Sequence, residues 1–385
     1  VKRALVLGGG GVRGAYEAGV LLYLADHLKT PFPFQILCGS SVGSIHTAFL
    51  AGNARENWQK GVQSLVHYWT SFELGDVFRL RRGLFKILLG KEQKSFAFLD
   101  FDLIRKIVLR AIPWKNISSS LGEGKISALA VTATQIATGK ATVFYQGGKE
   151  IPDLQYKNDP RILPIRTTIG PKHVLASSAI PFVFPPVRIG NFLYTDGSLR
   201  MNVPLSPALR FGADRVLVVC MRPPMEVRER EISQEEMERE FGTLTFLLAK
   251  TVDALLVDPL ERDIENLRMI NAILSSLGSE GKETLNIHTT AYRGFPYRIV
   301  EPLKICPSQS LVHLVEKALK RRQTLPLWLR LWLKKGPSWS RSKLEILTFF
   351  FFDREYIRLL IELGYEDTKT LQKEVENFFS PYPDR

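Results

Sequence analysis

The sequence predicts an α/β fold built on a largely parallel sheet. Two observations carry that expectation. A strand, a glycine loop and a helix follow one another twice within the first 53 residues, and short apolar runs keep alternating with helical stretches further on. Residues 4–7 read as a buried strand, followed by Gly8-Gly9-Gly10-Gly11-Val12-Arg13-Gly14 and an apolar stretch over 15–28 that is long enough for a helix. Residues 34–38 read as a second strand. Gly39-Ser40-Ser41-Val42-Gly43 comes next, then a helical stretch over 44–51 that Gly52 and Asn53 stop. Apolar runs at 128–133, 141–145 and 216–220 are expected to be further strands.

The texture changes after Arg222. Residues 226–240 are dense in charge of both signs, and 241–277 show helical apolar spacing broken by Pro259. Residues 317–343 hold nine Lys and Arg and no acid, and 353–379 are an amphipathic helical pattern with an expected break at Gly364. The expected division is an α/β domain over 1–222 and a mainly helical accessory region over 223–385, with a basic, Trp-rich segment at 317–343. There is no internal repeat and no low-complexity tract.

Composition excludes several classes. The 385 residues include 52 basic and 39 acidic side chains, a net charge of +13, with 45% apolar and 24% charged residues. That is an ordinary globular composition and excludes disorder, collagen and coiled coil for the chain as a whole. Cys38, Cys220 and Cys306 are odd in number and widely spaced, which predicts neither a disulfide framework nor a zinc site and makes a reducing compartment the default. No secretory signal pattern opens the sequence, and the apolar windows at 325–333 and 344–352 fall short of the roughly 20 residues a bilayer span needs. The basic excess suits an anionic partner.

The first loop, Gly9-x-Gly11-x-x-Gly14 between strand and helix, also fits a dinucleotide fingerprint. That reading needs an acidic residue near the end of the second strand to hold ribose hydroxyls, and Cys38-Gly39 stands there instead. The second loop fits Gly-x-Ser-x-Gly, a nucleophile elbow, in the strand-to-helix context the motif requires. A serine on a sharp turn projects its hydroxyl away from the sheet, glycines on either side relieve crowding, and the following helix N-terminus favours developing negative charge. Ser41 is therefore the candidate nucleophile. Backbone amides of the first loop, those of Gly10 and Gly11, are the candidate oxyanion donors. Arg13 either fixes this loop or meets an anion, against the plainer reading of a solvated arginine at a helix start.

The nucleophile needs a base. His46 and His173 are the better placed of six histidines, though neither sits in a triad context. The alternative is Asp196 of Tyr194-Thr195-Asp196-Gly197-Ser198, at the end of a short apolar run. A carboxylate with a reference pKa near 4 needs partial desolvation to serve.

These residues together resemble the patatin-like phospholipases, serine acyl hydrolases with a Ser–Asp dyad. The resemblance covers most of residues 1–222. Gly9 to Gly14 resembles the family's oxyanion loop, Gly39 to Gly43 its elbow, Asp196-Gly197 its base motif, and Ala176-Ser177-Ser178-Ala179-Ile180-Pro181-Phe182-Val183-Phe184-Pro185-Pro186 its Pro-rich segment. The base motif departs from the family in ending on Ser198 rather than Gly or Ala. The resemblance implies a three-layer α/β/α sandwich with C-terminal helical additions. It implies catalytic Ser41 and Asp196, an oxyanion hole at Gly10 and Gly11, and supporting roles for Gly9, Arg13, Gly14, Gly39, Gly43 and Gly197. The implied reaction is hydrolysis of a fatty-acyl ester of a phospholipid or lysophospholipid through an acyl-enzyme, with no cofactor and no metal.

Two basic, apolar segments, 78–89 and 325–335, suit an anionic membrane surface. Tryptophans favour the headgroup region and each Lys or Arg there contributes about 1 kcal/mol. Peripheral binding through 317–343, at the inner face of the membrane of a cytoplasmic protein, is the corresponding expectation, against a reading of Trp328 and Trp332 as a buried helix stripe. The alternatives are a general carboxylesterase and a non-catalytic lipid-binding protein on the same fold. Nucleic acid is suggested by charge alone, without a motif.

Overall fold

A computed structural model describes residues 1–71, 102–181, 183–224, 260–322, 325–333 and 339–381, with a few isolated positions between 225 and 259. Among the described residues nine strands form one sheet: β1 (Arg3–Leu7), β2 (Ile36–Ser40), β3 (Ala128–Gln135), β4 (Ala141–Gly147), β5 (Ile162–Arg166), β6 (Val187–Ile189), β7 (Phe192–Asp196), β8 (Arg215–Val219) and β9 (Glu301–Ile305). The helices up to β8 are α1 (Gly14–His27), α2 (Val42–Asn53), α3 (Trp58–Thr70), α4 (Asp102–Ala111), α5 (Trp114–Gly122), α6 (Pro171–Ser177) and α7 (Leu205–Arg210). Beyond β8 come α8 (Leu260–Ser276), α9 (Ser279–Arg293), α10 (Leu311–Arg321), α11 (Leu327–Leu333), α12 (Arg341–Phe350), α13 (Arg354–Thr370) and α14 (Gln372–Phe379).

The sheet runs β5-β4-β3-β2-β1-β8-β9, with the β6–β7 hairpin attached to β3. Its centre, β3-β2-β1-β8-β9, is parallel throughout; β4 and β7 run antiparallel to β3. Strand periodicity of two divides the core between the faces. Leu5 and Leu7 of β1 point into one cluster with α1, α2, α3 and α13, while Ala4 and Val6 point into a second with α7 and α8. Burial on both faces is why these strands read as continuous apolar runs. The expected largely parallel sheet, flanking helices and C-terminal helices are all present, and the runs at 4–7, 34–38, 128–133, 141–145 and 216–220 fall on β1, β2, β3, β4 and β8.

Three features differ from the sequence reading. β9 lies beyond residue 222 yet pairs with β8, so the C-terminal part extends the same sheet. Cys220 and Cys306 form a disulfide with their Cα atoms 4.7 Å apart, where the spacing of 86 residues predicts none; the parallel pairing of β8 with β9 brings the two strand ends together. Finally, α13 runs unbroken through Gly364 and ends at Thr370. Gly364 is a contact rather than a break. A Cβ there would stand 2.2 Å from the Tyr16 carbonyl oxygen, and one on Gly19 of α1 would stand 2.1 Å from that of Ile361. The two glycines let the helix backbones touch, and Tyr16 Oη donates to Asp367 Oδ2 at 2.9 Å across the same crossing.

The segment at 78–89 and, apart from isolated positions, that at 226–240, with Pro259, Lys334 and Lys335, lie outside the described residues. In α11 Leu329 and Leu333 are buried and Trp332 is half-buried on the main core, while the Trp328 side chain lies outside the described residues. The basic run is divided as well. Lys317, Lys320, Arg321 and Arg330 are exposed, Arg321 pairing with Glu355; Arg322 and Arg341 pair with Asp353 and Glu345, and Lys343 is buried, donating to the Trp332 carbonyl at 2.6 Å.

Gly364→Ala tests the crossing. Helix propensity alone favours alanine by about 1 kcal/mol. The expected outcome is instead a loss of about 3 kcal/mol, read as a lower urea midpoint, because the methyl has no space; an unchanged or raised midpoint would contradict the close approach.

Candidate active site

The site lies where β2 and β7 meet on one edge of β3. β2 pairs with β3 up to Ser40–Thr132, and β7 takes over one residue later at Ala133–Asp196, while β4 holds the opposite edge along the same span. Ser41 and Asp196, 155 residues apart, are thereby brought end to end. Ser41 Oγ donates to Asp196 Oδ2 at 2.6 Å.

Ser41 is the one non-glycine residue with positive φ among those described, at φ 50° and ψ −124°. Such a conformation costs on the order of 1–3 kcal/mol and persists only when its surroundings impose it. Three serines do so. The Ser41 amide donates to Ser177 Oγ at 2.8 Å, and its carbonyl accepts from Ser44 Oγ at 2.6 Å and Ser178 Oγ at 3.2 Å. The flanking glycines are steric requirements: a Cβ on Gly39 would come within 2.3 Å of the Gly43 carbonyl oxygen, and one on Gly43 within 2.3 Å of that of Leu7.

Asp196 is held as firmly. Its amide donates to the Ala179 carbonyl at 2.9 Å, and its carbonyl accepts from Thr134 Oγ1 at 2.8 Å. Its Oδ1 accepts the Ser198 amide at 2.8 Å. Because that bond comes from backbone, the third position of the base motif is free to be Ser instead of Gly or Ala. Gly197 packs on the Thr132 carbonyl. Ser41 and Asp196 are both buried, and burial pushes the Asp196 carboxyl up to about 6, against the pull of the Ser41 and Ser198 hydrogen bonds. A desolvated carboxylate of this basicity meets the requirement set by the sequence reading.

The first glycine loop faces the dyad. Gly9 is wedged beside it: its amide donates to Asn202 Oδ1 at 3.0 Å, and a Cβ would lie 2.9 Å from that of Ser41. Gly10 and Gly11 precede Arg13, whose amide makes the first bond of the 3-10 turn Gly11–Arg13, so their amides have no acceptor within the turn. Gly11 lies on the wall of the same cavity as Ser41. Gly14 packs on Val42, seating α1 against α2. Arg13 is buried rather than solvated and fixes the loop. Its guanidinium lies 3.5 Å from the centre of the Phe349 ring, and Nε donates to Thr348 Oγ1 at 3.2 Å.

Neither histidine is placed as a base. The indole Nε1 of Trp69 can only donate, so His46 Nε2, 3.0 Å away, is its acceptor and unprotonated, and the ring proton sits on Nδ1, donated to Glu17 Oε2 at 2.6 Å. Burial keeps this imidazole neutral, lowering its pKa to about 3, and raises the Glu17 carboxyl against the pull of the Gly8 amide. His173 accepts the Gly170 amide on Nδ1 at 3.0 Å, closing the first turn of α6. Sequence reasoning missed the serine clamp, Asn202 and the Glu17–His46–Trp69 chain. Ser177 and Ser178 lie inside the Pro-rich segment, but nothing in their spacing points to Ser41.

An apolar cavity of about 90 Å³ borders Ser41, walled by Ile45, Trp69, Ile180 and Phe184 and, from the C-terminal part, by Phe349, Phe350 and Phe352. Among the described residues no cluster of His, Cys, Asp and Glu could hold a metal ion. The arrangement provides a buried hydroxyl bonded to a basic carboxylate, backbone amides nearby and an apolar cavity.

Comparison with known proteins matches residues 5–209, more than half of the chain, to the model of the patatin-like phospholipase family. Among solved structures, VipD from Legionella pneumophila is similar at 14% identity over 97% of this chain and 67% of that chain, with a TM-score of 0.37. The heterodimeric complex ExoU–SpcU from the type III secretion system of Pseudomonas aeruginosa is similar at 15% identity over 98% of this chain and 77% of that chain, with a TM-score of 0.26. At these scores neither likeness bears on fold or activity.

The raised carboxyl has a direct consequence for pH dependence. Only ionised Asp196 accepts the Ser41 proton, so the reactivity of Ser41 toward a small activated ester is expected to fall as pH drops, half-maximal near pH 6. A limb centred near 4, or none, in the pH–rate profile would contradict a desolvated base.

Proposed function

The chain belongs to the patatin-like phospholipase family, and from that premise we propose that it is a lipid acyl hydrolase acting on the fatty-acyl ester of phospholipids or lysophospholipids through a Ser41–Asp196 dyad. The observation that carries the proposal is the 2.6 Å contact from Ser41 Oγ to a buried carboxylate whose pKa is raised to about 6.

In this reading Asp196 Oδ2 takes the Ser41 proton as Oγ bonds to the ester carbonyl carbon. The amides of Gly10 and Gly11 receive the oxyanion; one such donor in other enzymes is worth about 3 kcal/mol. Collapse breaks the bond to the alcohol oxygen, which leaves with the proton from Asp196, and an acyl-Ser41 ester remains. Water then gives a proton to Asp196 while its oxygen attacks the acyl carbon. The fatty acid departs, and the proton returns to Ser41. Asp196 thus carries one proton out and back in each half of the cycle.

We extend the proposal to peripheral binding of anionic membrane through 317–343. Exposed Arg330 beside Leu331, which is 60% accessible, supports it; the paired Arg321, Arg322 and Arg341 do not contribute.

Two outcomes are expected. Hydrolysis of a p-nitrophenyl ester falls roughly a thousandfold or more in both Ser41→Ala and Asp196→Asn, each checked for intact folding; activity retained in Asp196→Asn would rule out the dyad. Replacing Arg330, Lys334 and Lys335 by Gln weakens co-sedimentation with anionic vesicles by roughly a hundredfold, at about 1 kcal/mol per charge, and spares the soluble ester. Unchanged vesicle binding would remove the docking role.

A further inference from the structure

One wall of the cavity beside Ser41 comes from outside the stretch that defines the family. Residues 5–209 match the family, whereas Phe349, Phe350 and Phe352 line the cavity from the end of α12 and the turn after it. Phe352 is stacked on Trp69, the ring centres 6.3 Å apart and the planes 8° from parallel. Phe349 and Phe352 are buried and Phe350 half-buried, so packing fixes these rings in place.

The same run of residues touches the catalytic loop. Besides its stacking on Phe349, Arg13 donates from Nη2 as well as Nε to Thr348 Oγ1, at 2.5 and 3.2 Å. Gly11, at φ 59°, passes so close to the Phe349 carbonyl oxygen that a Cβ would stand 2.4 Å from it. The segment therefore has two sides: Phe350 and Phe352 line the cavity, Thr348 and the Phe349 carbonyl meet the loop, and Phe349 both lines the cavity and carries the Arg13 guanidinium on its ring.

We propose that Phe349, Phe350 and Phe352 are the acyl-specificity element of the site, their phenyl rings forming the wall that limits the chain of the acyl group. This inference rests on the reading of the protein as an acyl hydrolase and adds to it. A rigid aromatic wall limits the length and bulk of the acyl group, and one methylene gained or lost in an apolar pocket changes discrimination by about 10- to 200-fold. The loop side acts differently, because Thr348 positions Arg13 and its loss affects every ester alike.

The test compares kcat/KM for p-nitrophenyl laurate and p-nitrophenyl butyrate. In Phe350→Ala and in the gentler Phe352→Leu, the laurate-to-butyrate ratio is expected to rise on the order of tenfold. In Thr348→Val, kcat is expected to fall for both esters by a similar factor with the ratio unchanged. Ratios that stay constant in both phenylalanine variants, with circular dichroism intact and Ser41-dependent turnover retained, overturn the specificity element and leave the hydrolase reading standing. A ratio that moves as far in Thr348→Val also overturns it, because selectivity then follows general packing. A wild type without Ser41-dependent turnover of either ester overturns the hydrolase reading and the inference together.

Discussion

The register of β3 is the constraint on which the site depends. One edge of this strand holds β2 as far as Thr132 and β7 from Ala133 onward, and the dyad forms at the seam. A strand's side chains alternate between faces, so a slip of one residue on either side would turn Ser41 or Asp196 away from its partner. Burial opposes such a slip. Every residue of β3 is buried, and any shift exchanges the sets of side chains that face the two clusters of the core.

The dyad is expensive for the folded state. The rise of the Asp196 pKa from 3.8 to about 6 means the native protein binds this proton more tightly than the unfolded chain does. From this group alone, stability is lower by about 3 kcal/mol above pH 6 and recovers as pH falls through 6 toward 3.8. The left-handed φ of Ser41 adds strain of similar order. The hydrogen bonds that Ser44, Ser178, Ser198 and Thr134 donate and the one that Ser177 accepts, with the close-packed glycines, offset both costs. Stability is thus given up at the desolvated Ser41–Asp196 pair, and the neighbouring residues are committed to holding it.

What could be read in the sequence follows from how local each signal is. The strand–glycine–helix units were legible because Gly39, Ser41 and Gly43 act within a few residues of one another, and strands buried on both faces stand out as apolar runs. Asp196 was legible as a candidate through its Asp-Gly motif, although nothing local chooses a carboxylate over His46; the choice lies in Trp69, 23 residues further on, which occupies the imidazole nitrogen. Gly364 read as a break because a lone glycine in a helical pattern carries no sign of the helix pressed against it. The apolar window at 344–352 read only as too short for a bilayer, whereas the fold sets its rings beside Ser41. Burial of Arg13, the pairing of β9 and the Cys220–Cys306 bond likewise join segments far apart in the chain.

The central claim is that Ser41 is the nucleophile and Asp196 its base. The most direct measurement is mass spectrometry of the protein after reaction with a long-chain fluorophosphonate, across pH 5 to 8. The expected result is a single phosphonyl adduct on Ser41, absent from Ser41→Ala and slowed at every pH in Asp196→Asn. An adduct on another residue, or labelling of Ser41 that is indifferent to Asp196→Asn, would contradict the account.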